Sequence, residues 1–134
     1  MTSAPRALAR ARLRAAGIPT PGALVTGEDV ASGKPAPDGY LLGAKRLGFA
    51  ATDCLVFEDA AAGVEAAMAA GAGVVVIVSA QARQTRAHRP LPGRLAVGDY
   101  RQLELTVERD RLRVRACSAR LGEEESNEAA RRSP

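Results

Sequence analysis

A chain of 134 residues, 46% of them hydrophobic, is long enough to pack the core of one small domain, and its formal net charge is +4. No segment reaches the length of a membrane span, and the start has no charged stretch followed by an apolar leader, so a soluble, cytoplasmic chain with no membrane partner is expected. The arginines behind the positive charge lack interleaved aromatics: Arg6, Arg10 and Arg14 line one side of a helix and the others lie beside acids, a solvated surface rather than a nucleic-acid site.

Residues 5–16 are rich in helix formers, open on Pro5 and stop at Gly17, predicting a first helix. After Pro19 and Pro21, residues 23–26 (ALVT) read as a short strand, followed by a polar loop through Pro37 that contains Lys34. A second helix begins near Asp38 as its cap and ends at Gly48, with Leu41, Ala44 and Leu47 as its packing face. Residues 54–57 (CLVF) form an apolar run that meets Glu58 and Asp59, and a third helix follows with Val64, Ala67, Met68 and Gly71 on one face. Cys54 in that run reads as a buried thiol, and with Cys117 it makes no metal spacing.

Residues 74–78 (VVVIV) are β-branched and apolar throughout, as in a parallel strand covered on both faces. Residues 80–94 read as a loop and 95–99 as one more short strand. Leu103, Leu105 and Val107 alternate with polar residues, as do Leu112 and Val114, around a turn at Arg109 and Asp110, predicting an antiparallel hairpin. The expected organisation is therefore an α/β unit over residues 1–100, a hairpin extension over 101–121 and a disordered, charged tail over 122–134.

Two places can do chemistry. Glu58 and Asp59 stand where an apolar strand ends and a helix begins, the edge at which open α/β sheets bind ligands. Adjacent carboxylates there favour a hard cation such as Mg²⁺; the plainer alternative has Asp59 capping the helix and Glu58 solvated. Lys34 lies in a Gly-Lys-Pro loop just before a helix, suited either to a phosphate or to the solvent of an ordinary surface lysine. The two features are 24 residues apart, separated by one helix and one strand, so neighbouring βα loops can bring them together. His88, the sole histidine, reads as a solvated loop residue, and Asp29 and Asp99 as capping or turn residues.

The segments GKPAPDGY and VFEDAAAGVEAAMAAG resemble the third and fourth signature motifs of haloacid dehalogenase (HAD) superfamily hydrolases, in the sugar-phosphatase and β-phosphoglucomutase branch. The likeness runs over residues 2–78, and Thr2, Ser3 and Arg6 look like the end of the second motif. It implies a Rossmann-like core of parallel sheet and flanking helices. It also implies a phosphatase acting through an aspartyl-phosphate on a small phosphorylated metabolite such as a sugar or polyol phosphate. Lys34 would contact the transferring phosphoryl group, Thr2 and Ser3 would bind it through a hydroxyl, and Asp59, with Glu58 beside it, would hold Mg²⁺.

The family's first motif, an apolar strand ending in Asp-x-Asp, has no counterpart in these 134 residues, and neither has the helical cap. The expectation is an N-terminally truncated, partial core without its first central strand, catalytically silent by itself. The alternative is a noncatalytic phosphate or metal binder, or half of a split enzyme that pairs with a partner chain.

Overall fold

The computed structural model describes residues 1–78, 95–109 and 111–117. His88 and the tail from residue 122 onward lie outside the described residues, as does Asp110. Helix α1 spans Arg6–Ala15 and ends through Ala16 into Gly17, whose φ of 68° is left-handed backbone that favours glycine. Helix α2 spans Asp38–Leu47 and closes on Gly48 at φ 81°. Asp38 sits in the first turn, not at the cap: the cap is Pro37, and the Asp38 carboxylate accepts the Ser32 N–H at 3.3 Å. That bond ties the ends of the loop carrying Lys34.

Strand β1 (Leu55–Glu58), helix α3 (Ala61–Ala69) and strand β2 (Gly73–Ile77) form a β-α-β unit, and β3 (Leu95–Val97) adds a third strand. All three run parallel in the order β1-β2-β3. The central position of β2 fits its unbroken apolar run: Val74, Val75 and Val76 are all buried, with Val74 and Val76 against α3. One core cluster joins Val64 and Ala67 of α3 to Val74 and Val76 of β2, with Tyr40 and Val56 packed against it. Side chains alternate along a strand, so Glu58 shares the face of Val56, and its register opposite Val76 aims it at α2 and α3.

The expected strand at residues 23–26 does not form. Among the described residues, residues 24–26 join no sheet: their backbone bonds go to the chain start, with Thr2 N–H to the Val25 carbonyl at 2.9 Å, to the Pro21 carbonyl and to the side chains of Asp29 and Arg46. Val25 and Thr26 are nevertheless fully buried between α1 and α2. The packing face of α2 also differs from expectation. Leu41 and Leu47 are exposed at 46% and 59%, while Gly39, Tyr40 and Ala44 face the body. In α3, likewise, Met68 is exposed and Gly63, Val64, Ala66 and Ala67 are buried. Cys54 is half-buried, and its thiol donates to the Ala50 carbonyl at 3.4 Å.

Strands β4 (Leu103–Glu108) and β5 (Arg111–Ala116) form the antiparallel hairpin, paired from Leu103 opposite Ala116 to Glu108 opposite Arg111. Its root is fixed by the Cys117 N–H on the Gln102 carbonyl and by Tyr100, whose ring lies 5.8 Å from that of Phe57. Asp99 accepts the Arg101 N–H at 2.6 Å and so caps the short turn before β4. No helix among the described residues is long and apolar enough to cross a membrane.

Candidate functional site

The carboxyl-terminal end of β1 brings Lys34 and Glu58 into contact. The Lys34 ammonium donates to Glu58 Oε1, and both side chains are largely withdrawn from water, at 14% and 8% exposure. The Tyr40 hydroxyl donates to the same oxygen at 2.7 Å, and the Tyr40 ring lies under the ammonium with Nζ 5.2 Å from its centroid. Glu58 Oε2 accepts the N–H groups of Asp59 and Ala60, each at 3.1 Å. Burial by itself would push the Glu58 carboxyl up, but the hydrogen bonds from Lys34, Tyr40 and Ala60, with the Lys34 charge, outweigh it and hold the group below its ordinary value. Burial first, and the bond to Glu58 second, push the Tyr40 phenol well up, so it is a donor at every physiological pH.

Room for this cluster comes from Gly63. A Cβ built there would overlap the Glu58 carboxyl group, its carbon and both oxygens. The glycine in the first turn of α3 is thus the notch into which the carboxylate turns. Of the plainer reading of the acidic pair, the solvated Glu58 does not hold, since Glu58 is buried, and the N-cap position of α3 is Ala60.

Asp59, one residue on, is exposed at the same strand end. Among the described residues no three His, Cys, Asp or Glu side chains converge as a metal cluster. Mg²⁺ is commonly held by one or two carboxylates with waters and substrate phosphate, so a single exposed carboxylate fits as one ligand of such a site. Glu58 does not fit as a second direct ligand in this arrangement, because both its oxygens already accept two donors each.

Met1, which precedes Thr2 and Ser3, reaches this neighbourhood from the chain start. Met1 packs its side chain over Gly39, where a Cβ would collide with it, and its amino group lies in the fields of Lys34 and Glu58. Thr2 Oγ1 accepts the Ala4 N–H at 3.2 Å and Ser3 is exposed. Gly27 allows this approach: a Cβ there would stand 2.7 Å from the Ser3 carbonyl oxygen.

Tyr40 and Gly63 are the functional neighbours that motif reading underweights. Neither has a role in the sequence reading; a tyrosine one turn beyond the lysine loop, needing a partner for its hydroxyl, is the available signal. Asp29 is a second hub, as a turn residue should be. It accepts from Thr26 N and Oγ1 at 2.8 and 2.6 Å, from Arg6 Nη2 through both oxygens at 2.5 and 2.6 Å, and from Arg46 Nη2 at 2.9 Å. These bonds, Thr26 and Arg46 foremost, hold its carboxyl far below the ordinary range.

Comparison with known proteins decides the family. The family model for haloacid dehalogenase-like hydrolases matches residues 1–71, just over half of the chain. The chain belongs to that family. Hexitol phosphatase A of Escherichia coli is 51% identical over 77 residues, which are 58% of this chain and 36% of that protein. A fructose-1-phosphate phosphatase of the same organism is 51% identical over 53 residues, 40% of this chain and 28% of its own length. Glycerol-1-phosphate phosphohydrolase 2 of Saccharomyces cerevisiae is 36% identical over 85 residues, 58% of this chain and 34% of that enzyme. Among solved structures, a family IA, variant 3 HAD hydrolase of Entamoeba histolytica superposes with a TM-score of 0.59 at 27% identity, over 72% of this chain and 46% of that one. The likeness to this HAD fold bears out the expected Rossmann-like architecture. The chain spans about a third of the length of these curated relatives.

Proposed function

We propose that the chain is part of a Mg²⁺-dependent phosphohydrolase acting on a small phosphorylated metabolite, a sugar or polyol phosphate. The observation that carries this is the meeting of Lys34 with the Glu58–Asp59 strand end. An ammonium has three N–H donors, and its contact with Glu58 uses one. Lys34 binds and orients the phosphoryl oxygens, the Thr2 hydroxyl and the adjacent Ser3 add donors, and Glu58 holds the lysine in place. Asp59 holds Mg²⁺, which neutralises phosphoryl charge when bound. The relatives supply the substrate class, being phosphatases of hexitol, fructose 1-phosphate and glycerol 1-phosphate.

The reaction we propose uses an aspartate oxygen to attack phosphorus. The P–O bond to the metabolite breaks, the alcohol leaves with a proton from a general acid, and water then cleaves the aspartyl-phosphate to restore the carboxylate and release phosphate. No Asp-x-Asp sequence occurs in these 134 residues. That favours a second reading for the chain taken alone: it binds phosphate, and turnover requires a further segment or a partner chain bearing the nucleophile.

The test is inorganic phosphate binding by the purified chain with and without Mg²⁺, read by calorimetry, alongside hydrolysis of p-nitrophenyl phosphate. Binding weakened at least tenfold by Lys34→Ala, with no turnover, is the expected result. Binding indifferent to Lys34→Ala would overturn the proposed site, and Mg²⁺-dependent turnover by the 134-residue chain would remove the noncatalytic reading.

A further inference from the structure

Residues 2–6 are tied to residues 25–29 at three points. The Thr2 N–H donates to the Val25 carbonyl at 2.9 Å, the Gly27 N–H to the Ala4 carbonyl at 3.4 Å, and Arg6 grips both oxygens of Asp29 at 2.5 and 2.6 Å. Each tie joins residues 23 positions apart, so the two stretches lie side by side in a single register. They lie so close that a Cβ on Gly27 would stand 2.7 Å from the Ser3 carbonyl oxygen. The two backbone bonds would form equally well in a register slipped by two residues; the ion pair between Arg6 and Asp29 would not. Asp29 is itself fixed, because Thr26 donates to its Oδ2 through N and Oγ1, and Arg46 from α2 donates to its Oδ1 while holding the Leu24 carbonyl.

We propose that Asp29 is a positioning residue: through Arg6 it sets the register of residues 2–6 and so places the Thr2 hydroxyl beside the Lys34 loop. The inference rests on the reading of Thr2 and Lys34 as phosphate-binding residues. Asp29 precedes Lys34 by five residues, so the segment that receives Arg6 is also the root of the lysine loop. Met1, adjacent to Thr2, already packs over Gly39 at the far end of that loop. Thr2 Oγ1 accepts the Ala4 N–H at 3.2 Å, which leaves its own proton to donate. A hydroxyl on an irregular segment contributes fully to anion binding only when its place is fixed beforehand, since ordering it on binding offsets part of the bond. A carboxylate is suited to this task. Asparagine has one acceptor oxygen and would turn an NH2 toward the guanidinium or the Thr26 donors.

A double-mutant cycle on inorganic phosphate binding, read by calorimetry on the purified chain, tests this. In the parent, Thr2→Val is expected to weaken binding about tenfold, the size of one hydrogen bond to a charged group. Arg6→Gln cuts the tie to residues 2–6 and leaves Thr26 and Arg46 on Asp29. In that background Thr2→Val is expected to cost less than about twofold, while Lys34→Ala keeps its full effect. Loss of the Arg6 charge lowers affinity by itself but does not alter the Thr2→Val penalty, so the penalty is the diagnostic quantity. Arg6→Lys keeps the charge without the fork and covers the case in which Arg6→Gln unfolds, as far-UV circular dichroism would show; there the penalty is expected to shrink to about threefold. A Thr2→Val penalty of equal size in the parent and in the Arg6 variants would overturn the proposal and leave the phosphate site standing. A parent indifferent to Thr2→Val would remove Thr2 from that site and overturn this inference with it.

Discussion

Asp29 and Glu58 are both carboxylates withdrawn from water that meet cations brought from other elements, yet they are built differently. Asp29 is gripped by two guanidiniums, Arg6 from α1 and Arg46 from α2, with Thr26 filling its remaining positions. Planar forks fix direction as well as charge, and Arg46 also holds the Leu24 carbonyl at 2.6 Å, so this hub clamps the 24–29 segment between two helices. Glu58 meets one ammonium, a rotatable point charge, on the face of an aromatic ring. The first arrangement is a closed fastening. The second fixes a cation without using all its donors, which is what recognition of an anion at a strand end requires.

The sharpest way to break the contrast is to remove Glu58. Glu58→Ala strands the Lys34 ammonium against Tyr40 with no counter-charge, and an uncompensated charge in a mostly buried site costs about 3–5 kcal/mol. Urea unfolding is expected to show a loss of that size; a loss under 1 kcal/mol would mean that the lysine simply swings into water. Gly63→Ala comes next. The added methyl occupies the space of the Glu58 carboxyl group, and overpacking of this kind costs about 1–3 kcal/mol. Unlike an ordinary helix Gly→Ala change, which stabilises, it is expected to lower the melting temperature and to weaken phosphate binding along with it. A stabilised Gly63→Ala variant would show that the notch has no role.

Much of the body is legible in the sequence because local signals and tertiary demands agree there: proline and glycine bracket α1, Gly48 closes α2, and a run of valines marks β2, which among the described residues has a strand on both sides. The failures share a cause. Hydropathic periodicity weights large side chains, so Leu41 and Leu47 were expected inside, but α2 approaches its neighbours through Gly39, with Met1 against it, and Ala44. Residues 23–26 have strand composition without a ladder to join. At the site, Lys34 and the acidic pair stand out by motif, whereas the Asp29 clamp joins residues 23 and 17 positions apart and has no local signature. The inward turn of Glu58 was in principle readable from its phase with Val56, but a continuous apolar run hides the alternation.

The smallest of these effects isolates a single donor. Tyr40→Phe keeps the ring under Lys34 and removes the hydroxyl that donates to Glu58, a bond to a charged acceptor worth about 1.5 kcal/mol. Because Glu58 is held below its ordinary value in the folded chain, its bonds stabilise fully above the unfolded carboxylate range near pH 4.3 and fade as pH falls through that range toward the folded value. The Tyr40→Phe penalty is therefore expected to be largest at neutral pH and to shrink in acid, as the parent protonates Glu58 and loses the same interaction. Asp29 depends on acid in the same sense but has no contact with Tyr40, so it lowers both curves alike and leaves their difference to report on Glu58. Stability measured from pH 7 down to 3 checks this: a penalty that stays constant would place the hydroxyl's contribution in packing, and the cluster at the strand end would then depend on Lys34 and the two backbone N–H groups alone.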